Sequence, residues 1–349
     1  MFLPVILQKD FGNGAWLFFI ICNVVGATAF PFFINSCERS KIFVEAHGAA
    51  CTLFSVVTII SQLFFIGWVL SYLSIIEISG ALLLIGALFL VIRHTGFAAA
   101  SVVVWGLSLL VFLAYSISQS DTVMIQKLAD QFFAFNSQAL YVLPLLAFGF
   151  LLCPYLDLTF HKVVQAAHTK PEQGNKISFL IGFPLLFAML MIFSLIYADV
   201  VGQILLNPRE LFVQHTPIIK ALLFYFIMQA SFTSMAHWVE MKKYISHKQK
   251  LIIMCTVMLA MSAAFFASIF MNETTYRLFM AFYGIIAPAY LWIIAFNKKR
   301  VAISIVAAGI VLSLLLSAIP LFFPAPQYYY WYPVAVTVVL ITRFISIKN

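Results

Sequence analysis

The run from Pro217 to Glu240 carries Tyr225, Gln229, Thr233 and His237 at intervals of four, with Ser234 beside them and Glu240 one turn beyond His237. On an α-helix that interval keeps side chains on one face, so an otherwise apolar segment presents a polar stripe. Hydroxyls and carboxamides at this spacing can hydrogen-bond a small polar solute. They can also join one membrane helix to the next, at about 1 kcal/mol per bond. An imidazole followed by a carboxylate is the chemistry of proton relays.

A second run, 44–70, repeats the pattern with Ser55, Thr58 and Gln62 at helical spacing and Ser61 adjacent. Glu45 and His47 stand at its start, and Gly48, Ala49 and Ala50 leave room for another backbone. A third group is Cys153-Pro154-Tyr155-Leu156-Asp157-Leu158-Thr159-Phe160-His161. In a continuous helix Cys153, Asp157 and His161 share a face, and Pro154, which lacks an N–H, frees the carbonyl of Phe150. Asp157 then lies about one turn inside the end of its apolar run. There a carboxylate is either capped by water or carries a proton or a cation.

Carboxylates and imidazoles also bind hard and borderline metals. The chain has no H-E-x-x-H or H-x-x-x-H spacing, no G-x-S-x-G elbow and no phosphate-binding loop. We therefore expect no metal site and no bound cofactor, only coupling to H+ or Na+. Cys22, Cys37, Cys51, Cys153 and Cys255 are odd in number, lack a C-x-x-C pair, and read as packing residues.

Of the 349 residues, 64% are hydrophobic and 9% charged, with a mean hydropathy of +1.04. A soluble domain has about 45–50% apolar and about 25% charged residues. The composition excludes a soluble enzyme, a disordered chain, a coiled coil and a nucleic-acid binder, and leaves an all-α polytopic membrane protein. The first ten residues have no basic segment and no cleavage pattern follows, so the first apolar run is expected to be retained.

An apolar run of about 20 residues crosses a bilayer core as helix. Eleven runs qualify: 14–35, 44–70, 74–93, 96–117, 138–160, 177–201, 217–239, 250–271, 276–296, 301–323 and 328–346. Fifteen of the 20 Lys and Arg fall in the connections after odd-numbered spans; the other five are Lys9, Lys127, Arg209, Lys220 and Arg277. Basic loops stay in the cytoplasm. The expected orientation in a bacterial inner membrane has the N-terminus outside and the C-terminus inside.

Thr122 to Asn136 places Ile125, Leu128, Phe132 and Phe135 on one face, as in a helix lying on the membrane. Asn207-Pro208-Arg209-Glu210 reads as the start of a short outer helix. Tyr328 to Tyr332 reads as an interfacial aromatic belt. Asn23, Gly26, Thr28 and Pro31 in the first span suggest a tightly packed, kinked helix. Gly182-Phe183-Pro184 and Gly284 with Pro288 mark bends.

With these directions, Glu45, His47, Asp157, His161, His237 and Glu240 all lie toward the cytoplasmic end, as candidates for proton or cation coupling in one vestibule. Ser55, Thr58, Gln62, Tyr225, Gln229, Thr233 and Ser234 are the candidates for binding a small-molecule solute. Eleven spans also divide into one leading helix and two sets of five, the second inverted, which makes the second and seventh spans symmetry mates.

This arrangement resembles the sodium:solute symporters and the wider amino acid–polyamine–cation transporters of LeuT-type fold. The resemblance implies secondary transport, with sodium held by the second and ninth spans. The second supplies Ser55 and Thr58, but 276–296 contains no Ser or Thr, so a proton on Asp157 or His237 competes with sodium. Two other classes stay open. One is a membrane-embedded enzyme or haem or metal redox protein using His161 and His237; the other is a non-catalytic subunit. Substrate, direction and oligomeric state are not legible.

Overall fold

A computed structural model describes residues 3–118, 121–166, 172–206, 217–266, 272–297 and 299–347. Among them there is no strand, only an isolated antiparallel bridge between Val301 and Ile347. Among the described residues, nine helices are long and apolar enough to cross a bilayer. The protein is an all-α, polytopic membrane helix bundle. Asn207 to Glu210, expected to open an outer helix, lie outside the described residues.

The chain forms two compact units. The first holds 52–125 and 196–273, the second 2–51, 126–195 and 274–349. Helix α3, Cys37–Leu70, contributes its opening turns to the second unit and the rest to the first. Helices α1, Leu3–Phe11, and α2, Ala15–Phe33, belong to the second.

In the first unit, α3 ends at Leu70 and α4 spans Ile75–Ser118. Ser74 and Glu77 close a reciprocal cap: the Ser74 N–H donates to Glu77 Oε2 at 2.8 Å and the Glu77 N–H to Ser74 Oγ at 3.4 Å. As a straight rod α4 would be about 66 Å long, twice a bilayer core of about 30 Å. Gly96, at φ 82° and ψ 171°, interrupts it, in a conformation that glycine adopts without steric cost.

Helix α10, Ala198–Leu206, precedes α11, Pro217–Met241, in this unit, and contacts with α11 give the direction of each part of α4. Lys220 meets Glu77 at 2.6 Å, and Phe224 lies against Gly80. Beyond the break, Phe97 pairs with Phe232 and Ser108 with Gln229. The order ascends along the first part and descends along the second, so the two parts run in opposite directions. Helix α12, His247–Phe266, comes so close that a methyl on Gly67 would overlap the Met261 carbonyl. Phe226, Leu222, Ile227 and Ile66 are fully buried in this unit.

In the second unit, Gly12 and Gly14 turn the chain from α1 into α2 with positive φ. Helix α5, Asp121–Phe133, belongs to this unit from Gln126 onward and to the first before it; it leaves Ile125 and Phe132 exposed, as a helix on the membrane surface would. Its Gln131 turns inward instead: Gln131 Oε1 accepts the Gly14 N–H at 3.0 Å and Nε2 donates to Asn13 Oδ1 at 3.1 Å. Helix α6, Ala139–Leu152, runs beside α2, and Gly26 backs directly onto the Phe150 carbonyl that Pro154 leaves without an N–H partner.

The run 138–160 is not one helix. After α6 it tightens into a 3₁₀ turn, Cys153–Leu156; Asp157 is extended at φ −82° and ψ 108°, and α7, Leu158–Ala166, begins anew. The continuous helical face expected for Cys153, Asp157 and His161 is therefore broken. Pro154 is the cause, since it cannot continue the hydrogen-bond ladder. The bends expected at Gly182–Pro184 and Gly284–Pro288 take the form of wide π-turns. One, Gly182–Phe187, lies between α8, Glu172–Ile181, and α9, Ala188–Ile196. The others, Phe282–Ile286 and Leu291–Ala295, flank a short helix at Ala287–Tyr290. The first span keeps its helix through Pro31.

The aromatic run divides. Tyr328 and Tyr330 are exposed, but Tyr329 and Tyr332 are buried against Phe11, Leu7 and Val142. The Tyr329 hydroxyl donates to the Asp10 carbonyl at 2.6 Å, and Asp10 pairs with Arg277 at 2.7 Å, both side chains at least nine-tenths buried. This ties α1 to the far end of the chain. Of the expected spans, 328–346 becomes a helix of 15 residues, Trp331–Ile345, below the length that crosses a core of about 30 Å untilted.

Candidate functional site

The first unit contains all seven residues expected to bind solute. Its polar stripe on α11 reaches two neighbours. His237 Nδ1 hydrogen-bonds Ser55 Oγ on α3 at 3.3 Å, and Gln229 Nε2 donates to Ser108 Oγ on α4 at 2.5 Å. His237 is 4% exposed and Ser55 fully buried, and the Phe54 ring lies 6.4 Å from the imidazole. The polar segments of the second and seventh spans thus touch.

Three other nominated hydroxyls or their neighbours are satisfied within their own helix. Thr58 donates to the Phe54 carbonyl at 2.9 Å, Ser61 to Thr58 at 2.8 Å and Ser234 to Ala230 at 2.8 Å. This is ordinary back-bonding of hydroxyls in helices. Tyr225 is buried beside Phe226, and Gln62 and Thr233 are half-buried. Glu240, at the end of the stripe, is paired with Lys243.

The second unit gathers the other group. His161 is 1% exposed, and both ring nitrogens are engaged. Nε2 lies 2.9 Å from the Tyr155 carbonyl and Nδ1 lies 2.9 Å from Ser40 Oγ. A carbonyl only accepts, so Nε2 must carry hydrogen, and in the neutral ring Nδ1 accepts from the Ser40 hydroxyl. Gln165 Nε2 donates to the same Ser40 oxygen at 3.0 Å. Phe43 stacks on the imidazole at 5.3 Å and 16°, and Phe30 meets it edge-on at 5.1 Å. Burial holds this imidazole below its ordinary pKa of 6.5, against an opposing pull from the Asp157 carboxylate.

Ser40 also lies 3.4 Å from the His161 carbonyl. If the ring gains a proton, Nδ1–H can donate to Ser40 Oγ while the hydroxyl turns to that carbonyl. Both protonation states have their partners in place. Asp157 caps α7: its Oδ1 accepts the Thr159 N–H at 2.8 Å and the Thr159 hydroxyl at 2.7 Å. His47 departs from helical geometry at φ −122° and ψ 19°, and its Nδ1 lies 3.0 Å from the Tyr290 hydroxyl. Phe43 also touches the His47 ring at 4.8 Å, between the two imidazoles. Glu45 is exposed.

The six coupling candidates are thus divided: Glu45, His47, Asp157 and His161 in the second unit, His237 and Glu240 in the first. Ser40, Phe43, Gln165, Tyr290 and Ser108 complete these groups, and sequence reading passed over all five. None sits in a polar stripe, and Ser40 lies 121 residues from His161. Among the described residues no three His, Cys, Asp or Glu cluster as metal ligands.

The fold and these buried polar contacts define a polytopic integral membrane protein with ionisable groups packed among its spans. No family model, curated protein or solved structure matches the chain.

Proposed function

We propose that the protein is a secondary transporter of a small solute in a bacterial inner membrane, coupled to a proton or to sodium, with its N-terminus outside and its C-terminus in the cytoplasm. The observation that carries this reading is the His237–Ser55 contact: an imidazole buried in an apolar span and bonded across to a second polar span. Ionisable groups inside a membrane are costly, and they are kept where a solute or a proton passes. The fifteen-to-five division of basic residues supports the orientation.

The surroundings of His161 favour the proton over sodium. Ser40, Gln165 and the Tyr155 carbonyl serve either protonation state, and the stacked Phe43 face favours an imidazolium. The same geometry argues against haem ligation by His161, whose two ring nitrogens are both engaged.

Two steps test the proposal. Thermal unfolding of the purified protein against metabolites, with and without sodium and at two pH values, finds the ligand, because a ligand stabilises the state it binds. Uptake of that ligand into proteoliposomes should then follow an imposed pH or sodium gradient. Asp157→Asn should abolish coupled uptake or flatten its pH dependence. Normal gradient-driven uptake by Asp157→Asn would remove Asp157 from the mechanism, and absence of uptake by the unaltered protein in the presence of a confirmed ligand would remove transport.

A further inference from the structure

At one end of the second unit, three side chains that donate hydrogen bonds, those of Trp292, Asn297 and Arg343, lie about the Phe296 carbonyl, and two of them have no acceptor. The guanidinium of Arg343 lies over the Trp292 ring at 4.3 Å, and one of its N–H groups donates to the Phe296 carbonyl at 3.1 Å. The Trp292 indole nitrogen, beneath that guanidinium, is buried without a partner. So is the Asn297 carboxamide nitrogen, one residue beyond the carbonyl that Arg343 holds. The flip of Asn297 is fixed, because its Oδ1 accepts the Lys299 N–H at 3.1 Å, which leaves Nδ2 on the other side.

The fold builds this corner deliberately. The wide turn Leu291–Ala295 closes with the Phe296 N–H donating to the Leu291 carbonyl, and it sets Trp292 and Asn297 one such turn apart. The segment after it is tied to the chain end by the Val301–Ile347 bridge and by the Ala302 N–H donating to the Ser346 carbonyl at 2.8 Å. That brings the exposed Lys299 and Arg300 beside the end that carries Arg343. Between Glu273 and Asn349 the sequence has no Asp or Glu side chain to set against Lys299, Arg300 and Arg343.

An indole N–H and a guanidinium only donate, and the amide has its acceptor oxygen already used. A buried donor without a partner costs about 1–3 kcal/mol, and what satisfies several at once beside a cation is an anionic oxygen cluster. The span here ends at Ala295, so Asn297 stands at the depth of lipid headgroups. We propose that Trp292, Asn297 and Arg343 form a binding site for a phosphate group, carried by an anionic phospholipid or free in solution. Both orphan nitrogens are covered in this state, so Arg343 yields to admit the phosphate oxygens. Lys299 and Arg300 hold the phosphate from outside.

The test is thermal unfolding of the full-length protein in mixed micelles containing phosphatidylglycerol, or phosphatidylcholine, or phosphatidylcholine with inorganic phosphate at matched ionic strength. Phosphatidylglycerol should raise the midpoint by several degrees over phosphatidylcholine. Trp292→Phe keeps the ring and removes the N–H; Asn297→Ala removes the amide. Each should lose a large part of the increment, and Arg343→Gln should weaken binding by about tenfold or more. If inorganic phosphate alone reproduces the increment, the source is the free anion and the same residues hold it. No increment from either probe, or an increment that Trp292→Phe and Asn297→Ala leave untouched, overturns the site. Because the Phe and Ala variants disturb packing little, a failure of Arg343→Gln to fold does not prevent the decision.

Discussion

Replacing Gly26 with alanine should destabilise the second unit more than any other single methyl added to α2. The new Cβ would stand 2.7 Å from the Phe150 carbonyl carbon and 3.0 Å from the Leu151 Cα, and would overlap the Phe150 oxygen outright. Overpacking a core by a methylene costs about 1–3 kcal/mol when side chains can turn aside. Here the obstacle is backbone, which has no rotamer to change, so α2 and α6 must part and the cost falls at or above about 3 kcal/mol. Parting them also opens the seam where Phe19 meets Phe150 and Phe30 meets Tyr155, with ring centroids 5.2 and 5.5 Å apart.

Thermal unfolding in detergent measures the effect, with Gly86→Ala as the internal control. Nothing lies within 4 Å of a methyl at Gly86, and alanine is better than glycine within a helix by about 0.8–1.0 kcal/mol. The two changes are chemically identical, so opposite signs can come only from the neighbours. Gly26→Ala should melt several degrees below the unaltered protein, Gly86→Ala level with it or above. Equal midpoints for the two variants would refute the close approach of α2 to the Phe150 carbonyl.

Asp10→Asn leaves the buried Arg277 guanidinium without its charge partner, which should cost about 3–5 kcal/mol; Arg277→Met in the same chain should recover much of it, and a denaturation series of the three variants checks this. A double-mutant cycle of Gln229→Leu with Ser108→Ala should give a coupling of about 0.6–1.7 kcal/mol, and a zero coupling would remove that bond between α4 and α11. Stability should also fall in acid through His161. Burial lowers its pKa in the folded state below the ordinary 6.5, so as pH drops the unfolded chain takes the proton first. The stabilising difference is complete above 6.5 and is lost as pH falls from there toward the folded value. His161→Gln should flatten that part of the unfolding profile, and an unchanged slope would refute it.

The polar stripe of α11 was legible because a single helix carries it: the four-residue spacing is local, and the helix forms as expected. The direction reversal within α4 was legible from apolar length alone, although the glycine that makes it, Gly96, looks in sequence like any other. What could not be read was pairing. Ser40 and Ser108 are ordinary hydroxyls in apolar surroundings, and only tertiary contact sets one on His161 and the other on Gln229. In a soluble helix, amphipathic pattern tells the inner face from the outer. Lipid is as apolar as a core, so in a membrane that pattern disappears and the partner of each face is hidden.

Pro154 shows the same limit from the other side. Its missing N–H was enough to free a carbonyl, but not to say that Gly26 would occupy the space in front of it or that Asp157 would stop one helix and cap the next. Among intramembrane polar groups, then, polarity itself separates little, since Thr58 and Ser234 spend their hydroxyls on their own helices. Bonds that cross between helices separate more. By that criterion His237 with Ser55, His161 with Ser40, His47 with Tyr290 and Gln229 with Ser108 stand apart from the rest of the nominated residues, and in the first two an imidazole and a hydroxyl from a distant part of the chain are both buried. Held by Ser40 on one side and the Tyr155 carbonyl on the other, the His161 ring can exchange a proton without leaving a donor or acceptor stranded. Hydroxyls bonded to their own backbone cannot. In the transporter proposed above, His237 and His161 are therefore the positions where substitution should abolish gradient-driven uptake into proteoliposomes before it lowers thermal stability.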